Sequence, residues 1–428
     1  GARAALRHNP RMRPLACLLL LASTNAESWK SWLARGAAGG FQNFVHATAE
    51  IDDARTSAHS LRIDGKVLSV KELEFALQGA RLAFLAYARS RWEVEAGLKD
   101  ARMELVCFAP QRAQAQVGVP QWYLARSDEA LYLVFRGTSS VFDVLHDLMA
   151  MPEDGTEDDR FHAGFLHAVQ DVAAPVCDAL AAELRRGRGG GEGGEGGVSG
   201  DGGGAYTRLY LVGHSLGGAL ALTLLGADLL PGSEELEGRA LPPVSVLTYG
   251  SPAAFHRRCV SSAVRNADVQ AFVYGSDLVP RLLGSPLPLL HQAVGFAVGS
   301  RAARRWSQEA FDTLTEYVHP PRQALVRIEP LGAARHVPSS QHEQLLHLHQ
   351  ALVPEMVQHH LEYVSGLEAA WHKAVVEAGA ARAAGTAAFD AAATGRAVVG
   401  LVQRIAGRGR SSKAEREPHA EPEGKDGV

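Results

Sequence analysis

The chain has 428 residues, of which 46% are hydrophobic and 21% charged, and its formal net charge is −4. This is the composition of a globular protein, and it gives no electrostatic support for nucleic-acid binding, which uses a concentrated basic surface. Its 4 cysteines are too few and too scattered for a disulfide scaffold or a zinc ribbon. No apolar run approaches the roughly 20 residues of a membrane span. Together, this length and composition favour a medium-sized enzyme.

The first 26 residues have the organisation of a targeting segment. Arginines precede a short apolar run at 15–22, and small and polar residues follow as far as Ala26. This order resembles a signal peptide; an N-terminal anchor, an organelle-targeting segment or a buried helix of a longer protein are the alternatives. The compartment therefore depends on the role of residues 1–26: secreted or organellar with a targeting peptide, otherwise soluble or peripheral to a membrane. We expect residues 27–68 to form an N-terminal extension.

Helices and short strands are predicted along the middle of the chain. Ser69 and Glu72 form a capping box that opens a helix, and apolar residues then recur every three or four positions as far as Tyr87. A second helical pattern covers 165–184. Buried-strand patterns occupy residues 103–108, 122–125, 131–136, 208–212, 244–249, 271–274 and 324–328, and a turn at 127–129 predicts a hairpin of the second and third. This alternation predicts an α/β fold with a mainly parallel sheet and helices on both faces.

Three further segments have biased compositions. Residues 187–204 are mostly glycine, and because a helix precedes them and a strand follows, we interpret them as a loop insertion within one domain at 69–367. Residues 368–402 are rich in alanine and predict a C-terminal helical extension. Residues 403–428 are polar and charged and predict a disordered tail.

A G-x-S-x-G motif around Ser215 is the most informative stretch. A strand precedes it and an apolar helix follows, which is the context of a nucleophile elbow. Gly213 and Gly217 are needed because side chains would clash in so tight a turn, and the serine is held strained with its hydroxyl above the sheet. Ser215 is therefore the predicted nucleophile; a glycine-rich helix cap with an incidental serine is the alternative.

An acid and a base are expected later in the chain. Asp277 follows the predicted strand at 271–274 and is the predicted acid, with a helix-cap or turn aspartate as the alternative. Many histidines follow. His360 lies where a loop enters a helical pattern and is the preferred base, with His359 next; a surface histidine is the alternative for either.

Oxyanion donors are expected at the end of an early strand. Gly137 lets the backbone turn there, so the amides of Thr138 and Leu216 are the predicted pair. We predict no metal or organic cofactor. The two histidines of the segment at 342–347 lie five positions apart, whereas a zinc helix needs four, and no Gly-Lys-Ser/Thr ends the glycine run as a phosphate loop requires.

Taken together, several segments resemble the class 3 lipase family, the fungal lipase-type α/β-hydrolases, over roughly residues 70–367. The matching segments are 135–148, 161–168, 211–221, 248–255 and 274–283, with a weaker match at 316–325. The resemblance implies an α/β-hydrolase fold with Ser215 as nucleophile, Asp277 as acid, and Thr138 with Leu216 as oxyanion donors. The segment 354–367 looks like that of diacylglycerol-lipase-like members, which have Asp where this chain has His359.

The same resemblance implies a lid and a lipid substrate. In the family, the segment after the oxyanion residue forms a mobile helix over the site, here 140–151; an amphipathic helix packed on the core is the alternative. The implied activity is hydrolysis of acylglycerol esters through an acyl-enzyme, at a membrane or droplet interface, with no nucleic acid and no obligate protein partner. A galactolipid or phospholipid acyl hydrolase, an inactive lipase-fold binding protein and an acyltransferase are the alternatives.

Overall fold

An eight-stranded sheet forms the centre of the computed structural model. The structure describes residues 62–109, 119–138, 161–186, 206–238, 240–256, 262–266, 268–281, 317–320, 323–330, 332–347 and 355–377. The predicted targeting segment, glycine-rich insertion, lid and C-terminal tail lie outside the described residues. None of the helices within these ranges is long and apolar enough to cross a membrane.

The elements alternate along the chain as the sequence predicts. The strands are β1 (Glu104–Phe108), β2 (Trp122–Arg126), β3 (Ala130–Phe135), β4 (Arg208–His214), β5 (Val244–Tyr249), β6 (Phe255–His256), β7 (Asp268–Tyr274), β8 (Tyr317–Val318), β9 (Ala324–Glu329) and β10 (Ala333–His336). The helices are α1 (Val70–Leu85), α2 (Arg91–Asp100), α3 (Ala163–Arg186), α4 (Leu216–Gly226), α5 (Ser262–Asn266), α6 (His342–Leu346), α7 (Met356–His359) and α8 (Tyr363–Glu377).

The strand order in the main sheet is β1-β2-β3-β4-β5-β7-β9-β10. Its five middle strands, β3 to β9, run parallel, and antiparallel strands flank them on both sides. The predicted hairpin of β2 and β3 is confirmed, with Trp122 opposite Phe135. This mainly parallel sheet with helices is an α/β-hydrolase fold. Because the carboxyl ends of parallel strands meet at one edge, the segments after β3, β4 and β7 lie together there.

Helices cover both faces of the sheet and bury an apolar core on each. On one face, α3 and α4 pack onto the sheet through residues such as Phe165 and Leu220. On the other face, α1 and α8 contribute residues such as Leu73 and Leu367. The predicted capping box at the start of α1 is present, with the Ser69 amide donating to Glu72 Oε2 at 2.6 Å.

Some elements differ from the sequence patterns. β7 begins at Asp268, three residues before the predicted strand. The sequence pattern missed this start because Asp268 and Gln270 interrupt the apolar run. The helix α2 and the edge strand β10 carry too few apolar residues to stand out, and no pattern predicted them. α8 continues past residue 367, where we predicted the lipase-like domain to end, and packs against α1.

A buried carboxylate lies where the described chain stops before the glycine-rich insertion and resumes after it. Glu183, near the end of α3, is 2% exposed. Its Oε1 accepts hydrogen bonds from Arg126 Nη1 at 2.7 Å and from the Tyr206 hydroxyl at 2.6 Å. Tyr206 is the first described residue after the insertion. The Glu183 carboxylate therefore links the chain before the insertion to the chain after it.

Candidate active site

The turn between β4 and α4 holds Ser215 in a rare backbone conformation, with φ 58° and ψ −131°. Both motif glycines are required because other backbone atoms lie where a Cβ would be. A Cβ at Gly213 would lie 2.2 Å from the Gly217 carbonyl carbon, and one at Gly217 would lie 2.3 Å from the Phe135 carbonyl oxygen. The Ser215 amide donates to the Tyr249 carbonyl at 2.8 Å, which fastens the turn to β5. Such strain persists only where the surroundings enforce it.

The Ser215 hydroxyl is buried and has no hydrogen-bond partner among the described residues. A buried hydroxyl without a partner is costly in an ordinary core, so its presence needs an explanation. A catalytic hydroxyl can lack a hydrogen-bond partner in the free protein, because catalytic hydrogen bonds often form only when substrate is bound.

Asp277 lies in the turn after β7 and is fully buried. Its Oδ1 accepts from the Val279 amide at 2.9 Å and its Oδ2 from the Tyr363 hydroxyl at 2.6 Å. Burial raises the pKa of this carboxyl, but His360 and the hydrogen bonds from Tyr363 and Val279 outweigh it, and the pKa falls below its ordinary value. The carboxylate is therefore held ionised.

His360, in the turn between α7 and α8, faces this carboxylate. Its Nδ1 lies 3.0 Å from both oxygens of Asp277, and the residue is 2% exposed. Because an ionised carboxylate only accepts, Nδ1 carries the proton, and in the neutral ring Nε2 is left as the free base. This is the tautomer that a general base needs.

His359 has a different position from its neighbour. Its Nδ1 accepts from the Ser276 amide at 3.0 Å, and its ring lies edge-on to Tyr274 at 5.1 Å between centroids. Burial lowers its pKa. The structure thus brings His360, and not His359, into hydrogen-bonding contact with the carboxylate of Asp277.

The predicted oxyanion segment lies against the nucleophile turn. A Cβ at Gly137 would lie 3.0 Å from the Ser215 Cβ and 2.4 Å from the His214 carbonyl oxygen, so the chain can pass there only as glycine. Thr138 follows directly. Leu216 is the first residue of α4, so its amide has no acceptor within that helix.

Three residues of this site were not predicted by the sequence analysis. Tyr363 donates to Asp277, and its position three residues after His360 was the available signal. Arg281 is fully buried and donates to the carbonyls of Gly275, Asp277 and Leu345, which joins the turn around Asp277 to α6. The His214 ring packs at a tilt against the His360 ring, and its place in the G-x-S-x-G motif marked it only as a variable position.

No group of three or more histidine, cysteine, aspartate or glutamate side chains that could hold a metal ion occurs among the residues the structure describes. His342, the first histidine of the segment we compared with a zinc helix, donates from Nε2 to the Val337 carbonyl at 3.0 Å.

Comparisons with known proteins found one matching family model and several similar solved structures. The model of the lipase (class 3) family matches residues 132–286. A lipase from Rhizopus microsporus var. chinensis is 19% identical with a TM-score of 0.45, over 71% of this chain and 91% of that one. The native Rhizomucor miehei lipase–propeptide complex is 18% identical with a TM-score of 0.46, over 75% and 94%. No curated protein matches the chain.

The family match covers the segment from β3 to just beyond Asp277 and includes the nucleophile turn, whereas His360 lies outside it. The motif, the strained serine and the parallel strands around it are features of that same segment. Residues 132–286 of this chain therefore match the lipase (class 3) family.

Proposed function

We propose that this protein hydrolyses the carboxylic esters of acylglycerols with Ser215 as nucleophile, His360 as base and Asp277 as orienting acid. The class 3 lipase domain is that of a carboxylic ester hydrolase. The assignment of roles to individual residues and the choice of acylglycerol substrates are the parts that we propose.

The proposed reaction has two halves. His360 Nε2 takes the Ser215 proton as Oγ attacks the ester carbonyl, and the amides of Thr138 and Leu216 stabilise the oxyanion. Asp277 stabilises the imidazolium, which then protonates the leaving alcohol. Water, activated by the same base, hydrolyses the acyl-enzyme and releases the fatty acid.

The observation that carries this proposal is the buried pair of Asp277 and His360 beside a strained serine. His214 precedes Ser215, and its ring centroid lies 4.5 Å from that of His360, so base and nucleophile turn are neighbours. An ionised carboxylate on Nδ1 leaves Nε2 free for a proton from Ser215.

The substrate proposal rests on the family domain. A lid at 140–151, which mixes Phe142, Leu145 and Met149 with ionisable residues, would suit a lipid interface. Galactolipids and phospholipids share the ester bond, and they serve as competing substrates in the test.

The test compares wild type with Ser215→Ala, His360→Ala and His359→Gln on soluble p-nitrophenyl butyrate and emulsified dioleoylglycerol. We expect kcat to fall by about 10⁴-fold or more for the first two variants, as when a triad member is removed. His359→Gln keeps an acceptor for the Ser276 amide and is expected to stay within about fivefold of wild type, because it retains this bond.

Two outcomes would overturn the proposal. A folded wild type that hydrolyses neither ester supports a lipase-fold binding protein. Acyl transfer to added glycerol in preference to water supports an acyltransferase. Faster turnover of galactolipid or phospholipid vesicles than of dioleoylglycerol would replace the proposed substrate class and keep the roles of the residues.

A further inference from the structure

We infer that His214 is a positioning residue that holds the backbone of His360 against the nucleophile turn. The inference rests on the proposed function, since it assigns a role in aligning the proposed base with the proposed nucleophile. His214 itself touches neither the ester nor its reacting atoms in the proposed mechanism.

Hydrogen bonds join His214 to two other parts of the site. Its Nε2 lies 2.8 Å from the carbonyl oxygen of His360, and its Nδ1 lies 2.8 Å from the Tyr87 hydroxyl. The Tyr87 hydroxyl also lies 3.4 Å from the carbonyl oxygen of Thr138. The ring thus lies between the segment that carries the base and a tyrosine beside the oxyanion segment.

The partners determine the tautomer of His214. A carbonyl oxygen can only accept, so Nε2 carries the proton. In the neutral ring Nδ1 is then an acceptor, and the Tyr87 hydroxyl donates to it. This arrangement satisfies both ring nitrogens in a residue that is 1% exposed.

The surroundings keep this ring uncharged. Burial and the neighbouring His360 ring lower the pKa of His214 to about 3, against smaller opposing effects of the hydrogen bond to the His360 carbonyl and of Asp277. The rings of Phe84, Tyr87, His360 and Tyr363 pack around it. A neutral ring here matters because His360 becomes a cation during the proposed reaction, and a second cation beside it would oppose that step.

The geometric consequence concerns two segments distant in sequence. His214 and His360 are 146 residues apart, and the bond between them links the residue before the nucleophile to the backbone of the base. Because the His214 ring is attached to the same turn as Ser215, a shift of His360 would stretch this bond. Misplacement of a catalytic group by about 1 Å can cost 10²-fold in rate.

The test uses His214→Leu, His214→Gln and Tyr87→Phe, with Tyr123→Phe as the matched control. The Tyr123 hydroxyl is also buried and donates to a backbone carbonyl, that of Leu82, which is not one of the site residues described above. Glutamine offers a donor NH2 group and an acceptor oxygen on a side chain of similar reach. For each variant we would measure kcat and KM on p-nitrophenyl butyrate and the urea unfolding midpoint.

We expect His214→Leu to lower kcat by about 10- to 100-fold with KM within about twofold of wild type, because orientation and not binding is lost. His214→Gln should recover most of that loss. Tyr87→Phe should lower kcat more than Tyr123→Phe at a similar change in unfolding midpoint. Equal kcat for His214→Leu and wild type, equal losses for leucine and glutamine, or equal kcat for the two tyrosine variants would overturn the inference.

A spectroscopic measurement separates this inference from the proposed function. In protein labelled with isotopic histidine, the Nδ1 proton that His360 shares with Asp277 should give a downfield resonance, which should broaden or vanish in His214→Leu. If wild type is inactive and the resonance still broadens or vanishes in His214→Leu, the proposed activity is overturned and the positioning role is supported. A resonance that is unchanged in His214→Leu would overturn the positioning role whatever the activity. If the leucine variant does not fold, the same measurement is made on Tyr87→Phe.

Discussion

The hydroxyl of Tyr363 donates to Asp277 Oδ2 at 2.6 Å, so the helix that follows His360 also supplies a hydrogen bond to its carboxylate partner. The same oxygen of Tyr363 accepts from the Tyr274 amide at 3.1 Å. One phenol group therefore joins α8 both to the end of β7 and to the turn after it. Asp277 and His360, the proposed acid and base, are therefore held relative to each other by this phenol as well as by their own hydrogen bond.

Tyr363→Phe is expected to destabilise the protein by about 1–3 kcal/mol at neutral pH, because a buried carboxylate loses a donor. The pKa of Asp277 lies below its ordinary value, so its ionised form stabilises the fold above the unfolded pKa and that contribution disappears as pH falls through the folded pKa. The difference from wild type should therefore be largest near neutral pH and shrink below about pH 4, near the unfolded value. Urea midpoints across this range measure it, and a constant difference would contradict this account.

Arg281→Met is expected to destabilise the protein by about 2–4 kcal/mol, because three buried carbonyls lose their donor. The matched control is Arg91→Met, whose guanidinium is exposed and pairs with Glu95 one helical turn away. That variant should stay within about 0.5 kcal/mol of wild type. Chemical unfolding compares the two, and equal effects would mean that the bonds of Arg281 to the Asp277 turn contribute little.

Gly217→Ala is expected to abolish activity or folding, since the added Cβ would meet a backbone oxygen of β3 that cannot move aside. Gly232→Ala is the control, because its Cβ would lie 3.1 Å from Glu235 Oε2, the end of a flexible side chain. Soluble yield, unfolding midpoint and esterase rate distinguish the two. A Gly217→Ala protein with wild-type rate would contradict the close approach.

Glu183→Gln is expected to lower the unfolding free energy by about 1–3 kcal/mol, because Arg126 and Tyr206 lose a charged acceptor. Glu237→Gln is the control. Glu237 is exposed and lies 3.4 Å from Arg185, so its loss should change stability by under about 1 kcal/mol. Similar urea midpoints for the two variants would contradict a role for the buried carboxylate.

Ser215 and Asp277, the proposed nucleophile and acid, could be selected from the sequence because local patterns surround them. Ser215 lies in a strand–turn–helix context whose glycines are required by close packing, and Asp277 lies in the turn that follows a buried strand. Each of these features can be recognised within about a dozen consecutive residues. The parallel order of the sheet followed from the alternation of strands and helices.

The remaining parts of the site depend on contacts between distant segments. His359 and His360 are adjacent, and only the turn between α7 and α8 decides which ring reaches Asp277. Arg281 contacts the carbonyl of Leu345, 64 positions away, and donors to backbone carbonyls leave no sequence pattern. The partners of His214 are likewise set by tertiary packing.

The carboxylate of Glu183 has a consequence for how this chain tolerates change. It joins α3 to Tyr206, two residues before β4 begins, through hydrogen bonds from Arg126 and the Tyr206 hydroxyl. We therefore expect the turn at the other end of β4, which carries Ser215, to tolerate changes in the number of residues at 187–204.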